Sequence, residues 1–247
     1  MLDYNAYVGD WPFYKLPRNT LPELAELHRK NGIDGGYVSS LQSIFYNDFY
    51  ESEKELANVI SDSGYHHVVT VNPSLPECPI TLLRCIEEFS VSGVRIHPCY
   101  HGYDLSSEVM ADVLEILRKY ELPLFINARM HDERLTYILH PSPINLDSVK
   151  RFVKENSDVK IVLCHFKPDE IASMSELLFS LPNLHAETSA CRATIFSNDF
   201  AKLLEKLLYG SDFPLYPVTA SAILYKTEIE DERIRDIFIN RTDVFAK

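Results

Sequence analysis

The sequence predicts an α/β fold of one kind, a (β/α)8 TIM barrel, as a single domain over residues 1–247. Three observations carry this. Eight short β-branched or aromatic runs recur along the chain, segments with helical periodicity lie between them, and no Gly/Ser/Pro-rich linker or low-complexity tract divides the chain. The first run is Leu2–Val8, LDYNAYV, in which Asp3, Asn5 and Tyr7 alternate with Leu2, Tyr4, Ala6 and Val8. A period of two places the three polar side chains on one strand face, turned into the barrel mouth rather than to solvent. The helix that follows, TLPELAELHRKNG, has Thr20 as N-cap, apolar Leu21, Leu24, Ala25 and Leu27, and Gly32 as its stop.

The remaining strand signals are Ile33–Ser39, His67–Val71, Val94–His97, Pro123–Ala128, Lys160–Phe166, Leu184–Ser189 and Leu207–Asp212. SSEVMADVLEILRKYELP sets Val109, Val113, Leu114 and Leu117 on one helical face behind Ser106 or Ser107. NLDSVKRFVKENSDV and DEIASMSELLFSLPN repeat the pattern before the sixth and seventh strands, and DERIRDIFINRTDVF reads as the last helix. A doubly wound open sheet is the alternative. No G-x-G-x-x-G follows any strand, and an eightfold count suits closure better.

Composition bounds the partners. With 46% hydrophobic residues in 247, the chain can bury a large core. A net charge of -12 without any basic run excludes a nucleic-acid or anionic-membrane surface. No apolar stretch approaches the ~20 residues of a membrane span, and the N-terminus lacks a signal-peptide layout. Five cysteines, none paired at zinc-finger spacing, read as reduced thiols of a cytoplasmic protein. Homo-oligomerisation stays open.

Chemistry concentrates at strand ends. KIVLCHFKP ends an apolar strand with His165, LLYGSDFP ends another with Asp212, and GVRIHP ends a third with Arg95 and His97. Inward positions near C-terminal strand ends build the site of a barrel, so these groups face its mouth. The bland alternatives are a His165 that bonds a backbone carbonyl and an Asp212 that caps a turn. By parity Arg95 and His97 share a face, as do Asn127 with Arg129 and His165 with Lys167; Arg18 and Arg192 lie in loops after strands one and seven. A positive mouth on an acidic protein would focus a small anion, with Arg binding its carboxylate, unless Asp104, Asp132 and Glu133 neutralise these charges. Trp11, Phe13 and Tyr14 supply an apolar wall or simply pack the rim. His101 and the doublet His66-His67 are read as ordinary structural residues.

These motifs together resemble the amidohydrolase-related family, the metal-dependent TIM-barrel hydrolases and decarboxylases of the amidohydrolase superfamily. LDYNAYVGDWPF sits where that family has D-x-H-x-H-x-G, and GVRIHP resembles its G-[VF]-[KR]-x-H-P. KIVLCHF resembles its sixth-strand run ending in His, LLYGSDFP its G-S-D-x-P, and INRTDVF its closing N-A-x-x-L-F. The resemblance implies one divalent metal (Zn, Mn or Mg), with ligand positions falling at Asn5, Tyr7, Asn127 and Asp212 and with His165 beside or on the metal. All three histidine ligands are thus replaced. Zinc prefers imidazole, thiolate and carboxylate, amide oxygens are weak zinc ligands, and a Tyr7 phenol of pKa about 10 would have to ionise. The expected metal is weakly bound or absent.

The expected function is an amidohydrolase-like hydrolase acting on a small anionic, carboxylate-bearing substrate. Asp212 and His165 are the catalytic candidates and the remaining metal candidates. Asn5, Tyr7, Arg95, His97, Asn127 and Arg129 are the substrate-binding candidates. Two alternatives stand beside it: a related decarboxylase or lyase, and a catalytically inactive barrel that binds a small anion as a sensor or partner subunit.

Overall fold

The computed structural model describes residues 1–130, 144–191, 203–227, 229 and 231–246. Eight parallel strands lie in sheet order: β1 (Leu2–Val8), β2 (Gly35–Ser40), β3 (His66–Val71), β4 (Val91–Ile96), β5 (Leu124–Asn127), β6 (Ile161–Cys164), β7 (Leu184–Glu187) and β8 (Leu207–Leu208). The ring closes through the backbone. Tyr4 N–H donates to Tyr209 C=O at 2.8 Å, Asp212 N–H to Asn5 C=O at 2.7 Å, and Tyr7 N–H to Phe213 C=O at 2.7 Å. Eight parallel strands with intervening helices make this a (β/α)8 TIM barrel.

The helices are α1 (Leu21–Asn31), α2 (Tyr50–Ile60), α3 (Cys78–Glu88), α4 (Pro98–His101), α5 (Ala111–Tyr120), α6 (Leu146–Glu155), α7 (Pro168–Ala172), α8 (Ser175–Ser180), α9 (Val218–Thr227) and α10 (Glu232–Ile239). Local chemistry sets their ends. Glu23 accepts from Thr20 N–H at 3.1 Å at the start of α1, and Gly32 closes it in the left-handed region at φ 66. Asn145 accepts from Asp147 N–H and Ser148 N–H at the start of α6, as Asp231 does from Arg233 and Ile234 at the start of α10.

Three segments depart from the sequence reading. DEIASMSELLFSLPN folds as two short helices, α7 and α8. The segment before α5 opens with a 3-10 turn, Glu108–Met110, which leaves Val109 exposed while Val113, Leu114 and Leu117 stay buried. The last helix stops at Ile239, and the chain then returns across the barrel floor. There Asp243 accepts from the hydroxyls of Tyr4 (3.1 Å) and Tyr37 (2.9 Å). The Phe245 ring stands edge-on to Tyr4, Tyr37 and Phe125 at 5.7 to 6.1 Å. This closes an interior apolar layer of Tyr4, Tyr37, Val68, Phe125, Val162 and Leu208. A second, larger apolar layer fills the space between sheet and helices. Among the described residues, no helix is long and apolar enough to cross a membrane.

One irregularity repositions the opening strand. Asp3 pairs with Gly36 but Ala6 with Val38, so β1 spends three residues where β2 spends two. This β-bulge breaks the alternation. Asp3 is turned away from the mouth, and its carboxylate accepts from Asn5 N–H and Ser211 N–H at 3.0 Å and meets His28 Nε2 of α1 at 3.1 Å. The expected shared face of Asp3, Asn5 and Tyr7 is therefore corrected: Asn5 and Tyr7 face the barrel interior and Asp3 does not.

Candidate active site at the barrel mouth

Above the apolar floor, the barrel interior becomes polar. Asn5 on β1, Arg95 on β4 and Glu187 on β7 are all fully enclosed, at 0% exposure. The Asn5 carboxamide is held at both ends. Its oxygen accepts from Arg95 Nη1, and its nitrogen lies 3.1 Å from Glu187 Oε1, 3.2 Å from Ser189 Oγ and 3.4 Å from Asp212 Oδ1. The Arg95 guanidinium also donates to Tyr4 C=O at 3.3 Å and lies over the Tyr7 ring, 4.4 Å from its centroid.

The next layer holds the titratable pair. His165 directly follows β6 and Asp212 lies four residues beyond β8, both in left-handed backbone conformations at φ 57 and φ 56. The turns bring the side chains together: His165 Nδ1 lies 3.2 Å from Asp212 Oδ2 and 2.9 Å from Ser189 Oγ. The Tyr216 ring stacks on the imidazole, with centroids 5.5 Å apart and planes at 20°. Beneath them, Glu187 accepts from His165 N–H, Ser189 N–H and Ser189 Oγ–H (2.7 Å) as well as from Asn5. Burial pushes the Glu187 carboxyl up to about 7, against the pull of those donors. Its approach explains Gly210 of the LLYGSDFP motif, since a Cβ there would sit 1.8 Å from Glu187 Oε2.

The other candidates take varied places. Tyr7 OH and His97 Nε2 are 3.4 Å apart. Burial raises the Tyr7 phenol well above 10, and burial, then His101 and Arg95, hold the His97 imidazole well below 6.5. Asn127 is 1% exposed at the end of β5, and among the described residues neither of its amide atoms meets a hydrogen-bond partner. Arg129 is paired, donating to both Glu170 carboxylate oxygens (2.6 and 2.8 Å) and to His165 C=O at 2.8 Å. Arg18 is exposed on the loop after β1. Asp104 accepts from Ser106 N–H in its own turn at 2.9 Å. Arg192, Asp132 and Glu133 lie outside the described residues.

Trp11, Phe13 and Phe45 pack edge-to-face at 5.4 to 5.6 Å over Tyr7 and Leu41, forming an apolar wall of the mouth. A cleft of about 390 Å³ is lined by Tyr14, Leu16, Arg18, Phe213, Tyr216 and Val218. His101 bonds Ile44 C=O at 2.8 Å and His67 bonds Glu53 at 2.7 Å, while His66 stacks on Tyr37 at 4.6 Å, so these three serve the framework. Glu187 and Ser189 were not among the candidates read from the sequence. The period-two spacing of Glu187 and Ser189 in LHAETSA was the signal available for them.

A divalent metal does not suit this donor set. The Asn5 oxygen is engaged by a guanidinium, the Asn5 nitrogen points toward Asp212, and the Tyr7 phenol is held in its neutral form. Among the described residues, no three His, Cys, Asp or Glu side chains converge as a metal site would require.

The fold and the placement of these groups define a class, a (β/α)8 barrel carrying a polar site at its C-terminal strand ends. The amidohydrolase family model matches residues 62–236, and the chain belongs to the amidohydrolase family. Solved structures share the fold at low identity. A putative amidohydrolase from Staphylococcus aureus aligns with TM-score 0.70 at 10% identity, covering 96% of this chain and 95% of that one. The 5-carboxyvanillate decarboxylase from Sphingomonas paucimobilis gives 0.69 at 12%, covering 96% of both chains. A putative 2-pyrone-4,6-dicarboxylic acid hydrolase from Pseudomonas putida gives 0.65 at 14%, covering 96% and 93%. No curated protein matches the sequence.

Proposed function

We propose that this chain is a hydrolase for a small carboxylate-bearing substrate, working through His165 and Asp212 without a tightly held divalent metal. The observation that carries the reading is the buried contact of His165 Nδ1 with Asp212 Oδ2, 3.2 Å, at the barrel mouth. Asp212 orients the imidazole and stabilises its protonated form, and His165 moves the proton between water and the leaving group. The Asn127 amide, which has no hydrogen-bond partner among the described residues, presents its N–H to a substrate carbonyl. Arg95 acts from one layer below, through Asn5, as a fixed positive charge rather than as a direct carboxylate ligand. Arg129, committed to Glu170, holds the loop after His165. The apolar wall of Trp11, Phe13 and Phe45 excludes water from one side.

The carboxylate-bearing class is supported by the names of the structural neighbours, a 5-carboxyvanillate decarboxylase and a 2-pyrone-4,6-dicarboxylic acid hydrolase. A related decarboxylase is the second reading, favoured by the first of those names. Lactone and ester substrates bearing a carboxylate are tested against aryl carboxylates, with acid release and carbon dioxide release read separately. Asp212→Asn and His165→Ala each abolish turnover of whichever substrate is found while the far-UV spectrum stays native. Unchanged turnover in both variants would refute the assigned roles and leave the anion-binding barrel. Elemental analysis of protein purified without added metal decides the other half, since stoichiometric zinc would overturn the metal-free reading.

A further inference from the structure

We propose that Glu187 is a positioning residue that fixes the tautomer of His165, by taking the only hydroxyl proton of Ser189. The inference rests on the reading of His165 as the proton-transfer group. Ser189 Oγ–H donates to Glu187 Oε1 at 2.7 Å. A serine hydroxyl has one proton and two acceptor lone pairs, so once that proton is spent the oxygen can only accept. Asn5 Nδ2, 3.2 Å away, donates to it. His165 Nδ1 lies 2.9 Å from the same oxygen, and to bond it this nitrogen must carry the imidazole proton. Asp212 Oδ2 lies 3.2 Å from the same nitrogen but outside hydrogen-bond geometry, and the Ser189 contact is the shorter. In the neutral ring the lone pair then belongs to Nε2, which becomes the basic nitrogen.

The carboxylate is built to stay in place. It is fully buried, and every group that approaches it is a donor: His165 N–H, Ser189 N–H, Ser189 Oγ–H and Asn5 Nδ2–H. A glutamine would set its NH2 against at least one of these donors in either orientation. Gly210 leaves the space the carboxylate occupies. One side chain on β7 thus ties together the ends of β1 and β6, and Ser189 carries its effect to the imidazole.

The test needs no substrate, so its failure is distinct from failure of the proposed activity. Imidazole 15N resonances of His165 are read by long-range correlation in labelled protein at about pH 8.5, where a neutral histidine reports its tautomer. The assignment uses His165→Gln. The expected wild-type result is a protonated Nδ1 and an unprotonated Nε2, well separated. In Glu187→Gln and in Ser189→Ala, the separation narrows as the second tautomer appears. A wild-type His165 protonated on Nε2 overturns the proposal, and this holds even if neither variant folds. Folded variants with an unchanged His165 spectrum overturn it as well, because Asp212 alone would then set the tautomer. A purely structural role for Glu187 would lower the unfolding midpoint without moving these resonances.

Discussion

Replacing Gly210 with alanine adds a single methyl group at the point where β8 meets the Glu187 carboxylate. The backbone at Gly210 is not in the left-handed region, so alanine is conformationally allowed and by itself favourable by roughly 0.5 kcal/mol through the unfolded chain. The cost comes from contact. The new Cβ would lie 1.8 Å from Glu187 Oε2, 2.6 Å from its Cδ and 3.1 Å from Asn5 Cβ. Carbon and oxygen need more than 3 Å, so the carboxylate must move by more than an ångström, which breaks two or more of its hydrogen bonds. At roughly 1.5 kcal/mol for each bond to a charged group, the net loss is roughly 2–4 kcal/mol. Urea unfolding of Gly210→Ala measures it, with the slope checked for constancy. The same substitution in a Glu187→Asp background isolates the cause, because the shorter side chain withdraws from the new methyl. The cost of Gly210→Ala should fall there by at least about 1 kcal/mol. An equal cost in both backgrounds, or a cost below about 0.5 kcal/mol in the first, would show that the Glu187 approach does not govern this position.

Three further outcomes are expected. Burial, together with Arg241 and Lys206, lowers His185 from 6.5 to about 4. Because the folded value lies below the unfolded one, the stability tied to neutral His185 is complete above pH 6.5 and is lost as pH falls toward about 4. At 1.36 kcal/mol per pH unit that window holds roughly 3 kcal/mol, discounted to roughly 2 for partial exposure; His185→Gln should flatten the acid limb of stability against pH by that amount, and an unchanged limb counts against it. Tyr37→Phe removes a hydroxyl that donates to Asp243 on the barrel floor, and chemical unfolding should report a loss of roughly 1–2 kcal/mol, no loss meaning that the C-terminal return does not brace the floor. Glu53→Ala deletes the acceptor for both His67 Nε2 (2.7 Å) and Thr70 N–H (3.1 Å) in a fully buried site, so the loss should reach roughly 2–4 kcal/mol; a value under about 1 kcal/mol would mean that water replaces the carboxylate.

Much of the framework was legible residue by residue. Each strand signal meets an observed strand, with the boundaries of β1 reproduced and the others shifted by a few residues. Thr20, Gly32 and the Gly-Ser-Asp of LLYGSDFP carried local meaning because caps and close approaches depend on the side chain, or its absence, at one position. The DEIASMSELLFSLPN stretch misled because amphipathic periodicity does not reveal a break between two short helices. The tail misled because Asp243 and Phe245 are fixed by Tyr4 and Tyr37, more than two hundred residues earlier in the chain.

The sequence by itself determined the barrel, the strand ends that bear His165 and Asp212, and the inward turn of Asn5 and Tyr7 on the first strand. Those follow from periodicity and residue type, which are local. Only the tertiary structure decided which groups meet. The bulge in β1 removed Asp3 from the mouth, Glu170 engaged Arg129, and β7 delivered Glu187 and Ser189 to the back of His165. Each of these depends on contacts between elements far apart in sequence, and a one-residue change of register, as at the bulge, reverses the face a side chain presents.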